Sequence, residues 1–224
     1  MRVSGRKFEL ITLGFLIIEL ILYSVILTAG GTVLIACEFA AIVLCFGYAL
    51  VRVGKRDPLL VAALAGIVGA DFCLVVCNPI ERMWGMVFFL AAQTLYAVRL
   101  HRAVRGRALL IVRMALVAVA EITAFVVLRE RTDALALVSM AYYANLIANI
   151  LVSARRIKTS PVLLVGFVLF ILCDTVIGLQ VAADGYLPIL EGSWLHNVLF
   201  MGFNLSWFFY LPSQVCLAMS GLDQ

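Results

Sequence analysis

An all-α membrane bundle of eight transmembrane helices is the fold class this chain predicts, and three observations carry it. Hydrophobic residues make up 65% and charged residues 13% of 224 positions, with a mean hydropathy of +1.11, whereas soluble domains hold about 45–50% apolar and about 25% charged residues. The apolar residues gather in runs of about 20, long enough to cross a hydrocarbon core of about 30 Å at 1.5 Å per residue. Strict period-two alternation, which a membrane β-barrel needs, is missing. Water-soluble folds are therefore excluded.

The predicted spans cover residues 8–28, 31–51, 58–77, 84–100, 108–128, 133–153, 161–181 and 193–219, joined by short junctions within one integral membrane domain, 1–224. Span 1 follows Arg2, Arg6 and Lys7, but its apolar run is too long for a signal peptide and no small-residue cleavage site precedes span 2, so it is expected to stay. Arg52, Lys55 and Arg56 follow span 2; Arg99, Arg102, Arg105 and Arg107 follow span 4; Arg155, Arg156 and Lys158 follow span 6. With the N-terminal three, 13 of the 17 basic residues lie on one side, against Arg82, Arg129 and Arg131 on the other. The positive-inside rule puts both termini in the cytoplasm, as an even span count requires, and the expected location is the cell membrane. These charges read as topogenic, with no nucleic-acid partner. Arg113, five residues inside span 5, is expected to snorkel to the cytoplasmic interface.

Spans 3 and 7 carry the only sign of a repeat. Pro58-Leu59-Leu60-Val61 and Pro161-Val162-Leu163-Leu164 open them 103 residues apart, and an aspartate follows each proline by 13 residues, at Asp71 and Asp174. Spans 1–4 and 5–8 are candidates for parallel repeats. All six cysteines fall within spans, where a thiol packs as a small apolar group, so no disulfide framework is expected.

Five acids lie well inside spans: Glu19, Glu38, Asp71, Glu121 and Asp174. An ionisable group in hydrocarbon costs about 2.5–3.5 kcal/mol on insertion scales and is kept where it has a partner or a task. Counted from the outer ends of their spans, the five share one layer roughly 9–14 Å deep at 1.5 Å per residue. Such unpaired acids are expected to hold part of their protons at neutral pH, through desolvation first and mutual repulsion second. A neutral acid beside an ionised one is the arrangement general acid–base catalysis uses. The plainer reading makes them hydrogen-bonding glue between helices.

Neutral polar residues recur at helical spacing in the even-numbered spans: Gln93 and Tyr96 in span 4; Tyr142, Asn145 and Asn149 in span 6; Asn197, Asn204, Tyr210 and Gln214 in span 8. Such faces should turn inward. Small residues at i, i+4 around Asp71 (Ala62, Gly66, Ala70) allow close helix approach, and Pro212 is expected to kink span 8.

Several chemistries are excluded by inventory. No lysine lies inside a span, which excludes a retinal Schiff base, and His101 and His196 cannot build a buried three-histidine zinc site. No metal and no cofactor is expected. There is no G-x-S-x-G elbow, and neither aspartate sits in the G-x-G-D or Tyr-Asp setting of an intramembrane aspartyl protease.

Four stretches, in chain order, resemble the lysoplasmalogenase-like YhhN family of small eight-span membrane proteins. Gly69-Ala70-Asp71-Phe72-Cys73-Leu74 resembles its G-D-x-x-L stretch with one inserted alanine, and Phe88-Phe89-Leu90-Ala91-Ala92-Gln93-Thr94-Leu95-Tyr96 its F-x-x-x-H-x-x-Y helix. Gly166-Phe167-Val168-Leu169-Phe170-Ile171-Leu172-Cys173-Asp174 is similar to G-x-x-L-F-x-x-S-D, and Tyr210-Leu211-Pro212-Ser213-Gln214 to the closing Y-x-x-x-Q. The likeness covers spans 3 to 8. Gln93 stands where histidine is usual, Cys173 replaces serine, and a Lys-Pro pair associated with span 2 is missing.

The resemblance implies hydrolysis of the vinyl ether bond of a lysoplasmalogen, giving a fatty aldehyde and a glycerophospho-base, with Asp71 and Asp174 catalytic. Glu19, Glu38, Gln93, Tyr96, Glu121, Tyr142, Asn145, Asn204, Tyr210 and Gln214 are the candidate substrate-binding residues, and the expected partner is a lysophospholipid or similar amphiphile within membrane lipid. A monomer and a homodimer fit equally. A second reading keeps the same acids in a non-catalytic lipid or solute binder, or a proton-coupled carrier.

Overall fold

A computed structural model describes residues 2–104, 106–129, 132–185, 193–201 and 204–223. Arg105 and Arg131, counted in the charge balance, and residues 186–192 of the last loop lie outside the described residues.

The described chain is helical, without strands. Helices α1 (Arg2–Thr28), α2 (Gly31–Arg52), α3 (Pro58–Asp71), α4 (Arg82–Ala103), α5 (Arg107–Leu128), α6 (Ala134–Ala154) and α7 (Pro161–Gly185) follow the first seven expected spans. Among the described residues, seven helices are long and apolar enough to cross a membrane. The chain is thus a multi-pass membrane protein. Local signals set the helix starts. Asp57 accepts from the Leu60 amide at 3.2 Å with Pro58 at the first helical position, and Asp133 caps α6 on Ala136 at 2.7 Å. Gly54, with φ near +22°, follows α2 where a Cβ would meet the Leu50 carbonyl oxygen at 2.6 Å, so a side chain would be strained there.

The eighth span differs from the expected single helix over 193–219. It divides into α8 (Trp194–Leu199) and α9 (Leu205–Met219), and Asn197 and Asn204 no longer share one helical face. Broken backbone in a membrane must find partners within the protein. Gln180 of α7 donates to the Leu199 carbonyl at 2.7 Å, closing the end of α8, and the Asn204 side chain accepts from the Trp207 amide at 3.3 Å, opening α9. Helix α9 continues through Pro212.

Helices α3 and α4, α4 and α6, and α7 and α9 make the most extensive packing, while α5 rests chiefly on α6. Glycines set two of these approaches. A Cβ on Gly66 would touch Ala92 at 3.4 Å, and one on Gly166 would meet Leu217 at 2.9 Å. At one end of the bundle the expected loop residue Arg99 is instead buried. Its Nε donates to Asp57 at 2.6 Å, and its Nη atoms donate to Ser220 Oγ at 3.4 Å and Ser220 O at 3.2 Å. One guanidinium thus clasps the start of α3 and the end of α9 to α4. This is the single ion pair among the described residues.

Candidate active site

Both aspartates are held by tyrosines from other helices. Tyr210 of α9 donates its hydroxyl to Asp71 Oδ2 at 2.7 Å, and Tyr142 of α6 donates to Asp174 Oδ2. The backbone carries Asp71 at a change of winding: α3 ends on it, and Phe72–Val76 continue as a wider π-helix, with the Cys77 amide donating to the Phe72 carbonyl at 3.0 Å. Such bulges unsettle the regular ladder and often accompany functional sites.

Between the two tyrosines stands an aromatic wall. The Phe170 ring is 5.5 Å from Tyr210 and 6.3 Å from Tyr142, and Phe89 lies 6.4 Å and 5.6 Å from the same two rings. These spacings and the mostly edge-to-face tilts are those aromatic pairs prefer. Trp207 packs edge-on against Tyr210 at 5.0 Å. Asp71 is buried, whereas Asp174 is half-buried.

The remaining acids divide. Asn204 donates to Glu38 Oε1 at 3.1 Å, so the residue that opens α9 also holds this carboxyl. Glu19 is buried and accepts from the Cys45 thiol at 3.3 Å, while its Oε2 has no protein partner. Glu121 does not join them. It is half-buried on the peripheral α5 and makes no hydrogen bond among the described residues. A similar position along the helix axis does not determine which way a helix face turns.

Four other expected substrate contacts, Gln93, Asn145, Tyr96 and Gln214, fall nearer the Arg99 end. Gln93 is one turn beyond Phe89, and its Oε1 and main-chain carbonyl accept from Asn149 Nδ2 at 2.8 and 3.0 Å. Asn149 Oδ1 accepts from Arg113 Nη2 at 2.7 Å, and Asn145 Oδ1 from Arg113 Nη1 at 2.8 Å. Arg113 therefore turns inward to α6 rather than snorkelling, drawn by two amide carbonyls that accept from it inside the bundle. Tyr96 is fully buried, packed edge-on against Phe167 at 5.2 Å, and its hydroxyl has no protein partner. Gln214, one turn beyond Tyr210, is fully buried with both amide atoms unpartnered.

Phe89 and Phe170 were not singled out as site residues. Their signal was in the sequence: Phe170 precedes Asp174 by four residues, on the same helical face. The six cysteines are free, and no metal-binding group of three or more His, Cys, Asp or Glu occurs among the described residues.

Two carboxyls on separate helices, each fixed by a tyrosine and facing a shared aromatic interior, define a helical membrane protein with an internal acid pair. A model of the YhhN family matches residues 32–221. The chain belongs to the YhhN family, and that membership supports a membrane hydrolase. No curated protein and no solved structure matches it.

Proposed function

We propose that the protein hydrolyses the vinyl ether bond of a lysoplasmalogen or a related ether lysolipid, with Asp71 and Asp174 as the catalytic pair. The observation that carries this is the anchoring of both aspartates by tyrosines across one aromatic wall. An enol ether hydrolyses by protonation of its β-carbon, which leaves an oxocarbenium ion. Water adds to that cation and loses a proton, giving a hemiacetal that collapses to a fatty aldehyde and the glycerol hydroxyl. One aspartic acid supplies the first proton. Its partner, as carboxylate, stabilises the cation and takes the proton from the attacking water, the division of labour paired carboxyls perform in glycoside hydrolysis.

The tyrosine hydroxyls fix each carboxyl so that little reorganisation is needed as charge develops. The faces of Phe89 and Phe170 favour a cation beside them. Gln214, with no protein partner for either amide atom, is free to hold the water. The half-buried Asp174 side is the route by which an amphiphile reaches the pair.

A broken helix beside intramembrane acids also occurs in carriers, and the division of α8 from α9 favours a second reading as a lipid or solute carrier. One assay separates the two. Purified protein incubated with a lysoplasmenyl lipid and an aldehyde trap should release aldehyde, and Asp71→Asn and Asp174→Asn should each abolish release. Intact lipid with saturable binding would instead establish the binder.

A further inference from the structure

A cavity of about 290 Å³ lies away from the aspartates, between α4, α5 and α6 near the Arg99 end of the bundle. Its lining includes Arg113, Arg102, His101 and Asn145 together with apolar walls such as Leu110 and Val152, and no carboxylate. Arg113 is half-buried and uses two N–H donors on Asn145 and Asn149, which leaves three of the five a guanidinium carries. Neither the Arg102 nor the His101 side chain makes a hydrogen bond or ion pair among the described residues. A cation held in low dielectric without a counter-charge is costly, and among the described residues no carboxylate pairs with Arg113.

From this geometry we infer a lipid site, distinct from the acid pair, that takes the phosphate of a single-chain anionic glycerophospholipid on Arg113, with Arg102 and His101 at its rim. Charge complementarity selects the phosphate, for which the planar guanidinium is the suited donor. The apolar walls select a lipid over a free anion. Leu110 is 52% exposed on a helix whose outer face carries Ile111, Met114 and Phe125 in the open, so a chain can enter sideways from the bilayer. Arg113 bonds Asn145 and Asn149, the residues three and seven positions beyond Tyr142 on α6, so the site lies below the aspartate layer.

The test uses the full chain in phosphatidylcholine nanodiscs, with oleoyl lysophosphatidylglycerol as the probe and native mass spectrometry or a fluorescent analogue as the readout. The expected result is saturable binding that monooleoylglycerol and inorganic phosphate fail to displace. Arg113→Gln should weaken it by roughly 10- to 100-fold, as loss of a charged hydrogen-bonding partner implies. Because Arg113 also braces α6, Leu110→Trp is the second variant. It fills the cavity from the lipid side without touching the amide network and should weaken binding by about tenfold. Displacement by inorganic phosphate would make this a soluble-anion site and overturn the proposal. Equal binding by Leu110→Trp, or equal affinity for monooleoylglycerol, would overturn it as well. Activity at Asp71 and Asp174 does not enter the readout, so the lipid site stands or falls separately from the hydrolase.

Discussion

Tyr210 and Asp71, 139 residues apart in the chain, meet in a buried hydrogen bond of 2.7 Å. It joins α9 to the end of α3 at the point where the winding widens, and its counterpart between Tyr142 and Asp174 joins α6 to α7. Two equivalent anchors on opposite sides of Phe89 and Phe170 give the interior an approximate pairing of acid, phenol and ring.

Tyr210→Phe keeps the ring packing and removes only the donor. With a lysoplasmenyl substrate, kcat should fall roughly 10- to 100-fold, as loss of a hydrogen bond to a charged group of about 1.5–3 kcal/mol implies. KM should change little. Steady-state aldehyde release is the measurement, and an unchanged kcat would remove the tyrosine from the mechanism.

The Arg99–Asp57 clasp is expected to be structural. Arg99→Ala leaves Asp57 buried and unpaired and should cost about 3–5 kcal/mol. Replacing both partners by apolar residues should cost less than the single change. Thermal unfolding in detergent reads both, and a double variant less stable than Arg99→Ala would contradict the assignment.

Gly166 and Gly178 both lie on α7 but face different surroundings. An added Cβ at Gly166 would meet Leu217 of α9 at 2.9 Å, whereas one at Gly178 would meet nothing within 4 Å. Gly166→Ala should destabilise by about 1–3 kcal/mol. Gly178→Ala should be neutral or stabilising by up to about 1 kcal/mol. A shared response in melting temperature would mean that the α7–α9 contact does not depend on the glycine.

Asn204 caps α9 with its oxygen and holds Glu38 with its nitrogen. Asn204→Ala should lower stability by about 0.5–2 kcal/mol and speed hydrogen exchange at the first amides of α9, Trp207 above all. Exchange confined to another helix would show that the cap is not what defines the start of α9.

Much of the molecule was legible before any coordinates. The first seven spans follow from runs of apolar residues, because backbone groups in hydrocarbon must bond within their own helix. The prolines at 58 and 161 marked helix starts, while the capping by Asp57 and Asp133 emerged only from the structure. Direction was harder to read. Arg99 looked like a loop charge and Arg113 like a snorkelling one, yet both turn inward to partners 42 and 32 residues away.

Sequence by itself determined that this chain is a multi-pass helical membrane protein and that acids lie inside it, since hydropathy and helical rise are local properties. Only the tertiary structure decided that Tyr210 and Tyr142 take up the two aspartates, that Glu121 is left outside, and that the last span breaks between Leu199 and Leu205. Those outcomes depend on how each helix is rotated about its axis, and packing against neighbours sets that rotation while hydrophobicity does not.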